Sequence, residues 1–125
     1  MPQIISIVGK SNSGKTTLIE KLLPELKMRG YKIGTIKHSH HTVEMDRKGK
    51  DSWRHKAAGA HTVMVASQGR IAMVKDAPSD LLDDLEVYFS DMDLVITEGY
   101  KSGSRPKIEI FRAARNKTPI CLDDS

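Results

Sequence analysis

Gly9-Lys10-Ser11-Asn12-Ser13-Gly14-Lys15-Thr16 is a complete G-x-x-x-x-G-K-[ST] phosphate loop, and its flanks have the form the motif requires. Ahead of it, Ile4 to Val8 is short, apolar and rich in β-branched residues, as a buried parallel strand is. Behind it, Thr17 to Met28 carries Leu18, Ile19, Leu22, Leu23 and Leu26 at helical spacing. Glycines at 9 and 14 let the backbone curl so that successive N–H groups converge with the helix N-terminus into an anion cradle. The stretch predicts a nucleoside triphosphate site made by Gly9, Lys10, Ser11, Asn12, Ser13, Gly14, Lys15, Thr16 and Thr17. Lys15 is expected to reach the β- and γ-phosphates, where it also serves catalysis, and Thr16 to offer its hydroxyl to Mg²⁺.

Outward from the loop, strand and helix signals alternate, which predicts an α/β fold of the P-loop NTPase type: a mostly parallel sheet with flanking helices. Gly30 closes the first helix and Lys32 to Lys37 forms a second strand. A polar, His-rich segment, 38 to 50, precedes a short helix capped by Asp51 or Ser52 and ended by Gly59. His61 to Ser67 and Ile71 to Val74 flank Ser67-Gln68-Gly69-Arg70, an antiparallel hairpin in an otherwise parallel plan. Pro78 and Ser79 start a helix bearing Leu81, Leu82, Leu85 and Phe89; strands follow at Leu94 to Thr97, Lys107 to Phe111 and Pro119 to Leu122.

At 125 residues the chain has room for a single nucleotide-binding domain over residues 1–125. A strand followed only by Asp123-Asp124-Ser125 suggests that a covering C-terminal portion is lacking. The net charge is +4, but acids and bases are interspersed and aromatic residues are few. That argues against a nucleic-acid platform. The single cysteine, Cys121, makes no internal disulfide and reads as a small core residue. No leader or membrane-length apolar stretch is visible, so a cytoplasmic protein with no membrane role is expected.

Asp93-Leu94-Val95-Ile96-Thr97-Glu98-Gly99 supplies the second half of a nucleotide site, an apolar strand ending in an acid. Ligands of this fold sit at the carboxyl ends of the strands. Glu98 is therefore the candidate catalytic and Mg²⁺-binding carboxylate, holding the metal through water or orienting an attacking water, while Asp93 lies at the opposite end. Asp46, in the charged stretch before Asp51, is a further candidate for Mg²⁺ or water. His38, His40 and His41 follow a strand end too, but their spacing fits no zinc pattern; a ligand-contact role is favoured over metal. Lys101 and Arg105 could meet a second phosphorylated ligand, or form a charged rim.

Taken in order, the phosphate loop, Gly34-Thr35-Ile36-Lys37-His38, Gly49-Lys50-Asp51-Ser52, Ala58-Gly59-Ala60, Val95-Ile96-Thr97-Glu98-Gly99-Tyr100-Lys101 and Pro106-Lys107-Ile108-Glu109-Ile110 resemble the molybdopterin-guanine dinucleotide biosynthesis protein B family almost end to end. The resemblance implies GTP and Mg²⁺ as cofactors, weak GTPase activity, and assistance to a separate guanylyltransferase that joins GMP to molybdopterin. It also implies a homodimer whose hairpin strands extend the partner's sheet. Guanine specificity rests on the resemblance alone: Asn116-Lys117-Thr118-Pro119 lacks the aspartate of a base-reading Asn-Lys-x-Asp signal. Two other functions fit the same residues. One is a small-molecule kinase in which Asp46 or Glu98 accepts a hydroxyl proton; the other is a nucleotide-loaded adaptor that does not hydrolyse its ligand.

Overall fold

The computed structural model describes residues 2–10, 14–39 and 49–110. They form two compact units, one holding residues 2–10, 14–39 and 81–110 and the other residues 49–80.

The first unit is built on four parallel strands: β1 (Gln3–Val8), β2 (Ile33–Lys37), β5 (Leu94–Glu98) and β6 (Lys107–Glu109), in the order β2-β5-β1-β6. The interior pair, β1 and β5, is the apolar pair in the sequence, as expected where helices cover both faces and no polar alternation is tolerated. Their register sets Ile4 beside Val95, Ile5 beside Ile96 and Ser6 beside Thr97. Because successive side chains alternate between faces, this register separates two cores. On one face Ile4 and Val95 pack with Leu82, backed by Ile36, Phe89, Met92 and Tyr100. On the other, Ile7 and Ile96 meet Ile19 of helix α1 (Lys15–Met28), backed by Leu18, Leu23 and Leu26. Ser6 and Thr97 are buried hydroxyls on adjacent interior strands, and Thr97 Oγ1 donates to Ser6 Oγ at 3.0 Å. The bond removes most of the cost of burying either group alone.

At the amino ends of the strands, the Lys32 N–H donates to Asp93 Oδ2 at 2.7 Å and the Asp93 N–H donates back to the Lys32 carbonyl at 2.8 Å. Asp93 thus ties the entries of β2 and β5 together, far from the strand ends where ligands collect.

The predicted helix from Pro78 is not found in that form. Residues 78–81 are not helical, Leu81 is extended (ψ 141°), and only Leu82–Leu85 is α-helical, here α3, passing into a 3-10 turn over Glu86–Phe89. Asp83 and Asp84 lie in its first turn, where acids suit the helix dipole. The predicted boundary rested on Pro78 and Ser79, but the apolar anchor that fixes the element is Leu82, buried in the first core.

The 3-10 turn lies hard against β2. A methyl group on Gly34 would stand 2.5 Å from Phe89 Cδ1 and 2.8 Å from Cε1, inside van der Waals contact. Gly34→Ala is accordingly expected to destabilise the protein by about 1 to 3 kcal/mol, the ordinary cost of overpacking a filled site. Urea unfolding would show a lower midpoint with an unchanged slope, partly recovered when Phe89→Leu is added; an unchanged midpoint would mean that the ring swings aside at little cost.

The second unit contains helix α2 (Asp51–Ala57) and an antiparallel hairpin of β3 (Thr62–Ser67) and β4 (Arg70–Lys75). Gln68 and Gly69 make the predicted two-residue turn, with Gly69 at φ +74°. Asp51 is the first residue of α2 and not its cap; Lys50 holds the cap position with no side-chain bond, so Asp51 acts through its charge at the dipole's positive end. Beside the hairpin, Lys56 bonds Asp76 at 2.8 Å, and His61 lies 3.5 Å from the same carboxylate. Lys56 first, and then His61, hold the Asp76 carboxyl below its ordinary range. Both contacts are open to water and contribute little stability. Among the described residues, no helix is long and apolar enough to cross a membrane.

Candidate nucleotide site

The carboxyl ends of β1, β2 and β5 lie side by side, and each is followed by residues with polar chemistry. β1 runs into Gly9 and the phosphate loop, of which residues 11–13 lie outside the described set. The loop closes at Gly14, whose left-handed backbone (φ 103°, ψ 17°) admits no side chain without strain and turns the chain directly into α1. The helix begins at Lys15, two residues ahead of the predicted start, with Leu18 N–H to Gly14 carbonyl as an opening bond of 3.0 Å. Lys15, Thr16 and Thr17 therefore all stand in the first turn, where backbone N–H groups have no partner within the helix and the dipole favours anions.

The Lys15 ammonium donates to the Gly9 carbonyl at 2.8 Å, tying the start of α1 to the residue that follows β1. An ammonium has three hydrogens, so this bond anchors the group while leaving donors for phosphate oxygens. Thr16 Oγ1 donates to Glu98 Oε1 at 2.7 Å, across a sequence separation of 82 residues. This bond joins the start of α1 to the end of β5 and brings two predicted metal-binding residues together. A hydroxyl oxygen with lone pairs to spare and a carboxylate are hard oxygen donors, the set that Mg²⁺ prefers. The residues present fit that ion. Asp46, the third predicted ligand, lies outside the described residues, as do His40 and His41. The described residues contain no cluster of three or more His, Cys, Asp or Glu suited to a metal.

Glu98 is held by its backbone as well. β2 pairs with β5 so that Lys37 sits opposite Glu98, and the next residue, His38, donates its N–H to the Glu98 carbonyl at 2.9 Å. On the other side the Gly99 N–H donates to the Ile7 carbonyl at 2.9 Å. Gly99 has φ +114°, and a methyl group there would stand 3.0 Å from His38 Cβ. Tyr100 follows at φ +62°, the one non-glycine residue with positive φ among those described. Its ring stacks on His38, with centroids 4.3 Å apart and planes 16° from parallel. A left-handed tyrosine costs about 1 to 2 kcal/mol and an aromatic stack returns about 0.5 to 1.5 kcal/mol, so the stack largely offsets the backbone strain.

Sequence reading missed this stack, because the two rings belong to strand exits 62 positions apart and only the β2-β5 pairing makes them neighbours. Arg105, offered as a contact for a second phosphorylated ligand, is committed elsewhere: it bonds Asp83 at 2.7 Å and also pairs with Glu86, pinning the loop before β6 to α3 and the turn that follows. Lys101 remains exposed beside Tyr100.

The comparisons agree with one another. A family model described as molybdopterin guanine dinucleotide synthesis protein B matches residues 4–125. The molybdopterin-guanine dinucleotide biosynthesis adapter protein of Haemophilus influenzae is 44% identical over 124 residues, covering 97% of this chain and 70% of that protein. The protein of the same name from Escherichia coli is 37% identical over 126 residues, covering 95% of this chain and 71% of its own length. The crystal structure of Bacillus subtilis MobB superposes with a TM-score of 0.75 at 36% identity, covering 87% of this chain and 68% of that one. This chain therefore belongs to the MobB family, molybdopterin guanine dinucleotide synthesis protein B.

Proposed function

We propose that the chain is a GTP-binding adapter of molybdopterin guanine dinucleotide synthesis, a weak Mg²⁺-dependent GTPase that assists the guanylyltransferase joining GMP to molybdopterin. The single observation that carries the nucleotide part is the Thr16–Glu98 bond, which gathers the two halves of a phosphate-loop site at the carboxyl ends of adjacent strands. The adapter part is supported by the family and by the names its relatives carry.

In this reading the first turn of α1 and Lys15 hold the β- and γ-phosphates, and the oxygens of Thr16 and Glu98 hold Mg²⁺. When bound, the ion would neutralise charge developing on the phosphoryl oxygens. Glu98 would also orient the attacking water. The protein would work in the cytoplasm as a homodimer. Met64 and Ile71, which share one face of the hairpin, are 52% and 65% exposed, and apolar surface of that kind supports pairing with a second copy.

Single-turnover assays with labelled GTP separate this reading from its rivals. Slow release of inorganic phosphate, without transfer to an added acceptor, is the expected result. Transfer of the γ-phosphoryl group to a small acceptor would identify a kinase, and intact GTP after many hours would identify a carrier that does not hydrolyse its ligand.

A further inference from the structure

We propose that Tyr100, through its stack on His38, is a positioning residue for the Glu98 carboxylate, and so sets how tightly the site holds its divalent cation; this inference rests on the Mg²⁺–nucleotide site proposed above. The contacts form a closed circuit. His38 reaches the Glu98 carbonyl through its backbone N–H at 2.9 Å, and its ring meets Tyr100 at 4.3 Å, two residues beyond Glu98. Within that circuit lie Glu98, Gly99 and Tyr100, and the Gly99 backbone passes His38 so closely that a methyl group on it would be 3.0 Å away. The Tyr100 end is fixed in two further ways: its ring packs against the Ile4, Leu82 and Val95 core, and its carbonyl accepts a bond of 3.1 Å from the Gly103 N–H.

The consequence falls on Glu98. Its side chain stands at the very end of β5, where pairing stops, and the following glycine has no Cβ to restrict rotation. Strand pairing fixes the Glu98 backbone on its N-terminal side. On its C-terminal side the peptide is aimed by the Gly99 bond to Ile7 and by the ring stack, and loss of the stack removes a constraint from that side. A residue that supports a metal-binding carboxylate in this way alters metal affinity more than it alters contacts with the rest of the ligand. That a tyrosine occupies a left-handed position here, where glycine or asparagine would sit without strain, is explained by a need for the ring.

The test uses the full chain loaded with a fluorescent GTP analogue, with release by unlabelled GTP followed as Mg²⁺ is titrated. In the wild-type protein added Mg²⁺ is expected to slow release. Tyr100→Gly, which removes the ring with its packing on the Ile4, Leu82 and Val95 core and relieves the left-handed backbone, is expected to need about tenfold more Mg²⁺ for the same slowing, with release in EDTA changed by less than about twofold. Tyr100→Phe, which keeps the stack, should restore the wild-type Mg²⁺ requirement. A Tyr100→Gly protein with the wild-type requirement, a Tyr100→Phe protein as impaired as Tyr100→Gly, or equal acceleration of release with and without Mg²⁺ would each overturn the positioning role. Failure of the wild-type protein to hold the analogue at all would instead overturn the nucleotide site, and this inference with it.

Discussion

Lys15→Ala is expected to cost about 2 to 4 kcal/mol of GTP binding, roughly a 30- to 700-fold rise in Kd, which is the penalty for removing one partner from a desolvated charge pair. The side chain is half-buried and already anchored to the Gly9 carbonyl at 2.8 Å, so it enters the complex with much of its rotamer freedom spent. The ammonium makes that bond, so any neutral replacement loses the bond together with the charge; Lys15→Met keeps the aliphatic stem that Lys15→Ala removes, and so separates the packing of the stem from the ammonium. Both variants should lose affinity to a similar degree in fluorescent-nucleotide titrations while their urea midpoints stay close to wild type. Unchanged affinity in either variant would mean that the triphosphate does not lie against Lys15.

For Glu98→Gln the expected pattern is a split. Hydrolysis should fall by roughly 100- to 1,000-fold, the usual effect of deleting one group aimed at developing charge, while GTP affinity at saturating Mg²⁺ stays within about threefold. The reason lies in the Thr16–Glu98 bond. An amide oxygen can still accept the Thr16 hydroxyl at the observed 2.7 Å, so the geometry joining α1 to β5 is preserved and only the negative charge is lost. Single-turnover and equilibrium measurements on one preparation decide the matter. Equal loss of binding and hydrolysis would make Glu98 a structural strut between the two elements.

Much of this site was legible because the residues that build it are local in sequence. The strand before the loop, the loop and the helix after it form one run of chain, and their periodicities change where the glycines stand. Glu98 could be found for a related reason: a short apolar strand ending in an acid is a local pattern, and the rule that ligands gather at carboxyl ends says which end matters. The hairpin was legible from Gln68-Gly69, where a two-residue turn needs a glycine at positive φ. What could not be read depends on neighbours brought by the sheet order. Nothing in a sequence shows that Tyr100 takes φ +62°, or that β2 lies beside β5 so that His38 meets it. Arg105 stood open between a phosphate contact and a charged rim because its charge was visible and its partners, Asp83 and Glu86, were not yet beside it. The false helix start at Pro78 has a similar origin, since cap and proline signals mark where a helix can begin, while burial of Leu82 decides where this one does. Ser11 to Ser13, Asp46, Cys121, the Asn116 to Pro119 stretch and the strand expected at Pro119 to Leu122 lie outside the described residues.

The account turns on one claim, that the start of α1 and the end of β5 form a single Mg²⁺–GTP site. A crystal structure of the protein with Mg²⁺ and a non-hydrolysable GTP analogue tests it most directly. The β- and γ-phosphates should lie against the first turn of α1 with Lys15 Nζ in hydrogen-bond contact, and the oxygens of Thr16 and Glu98 should face one cation. An analogue bound elsewhere on the protein, or a cation held without Thr16 and Glu98, would contradict the claim.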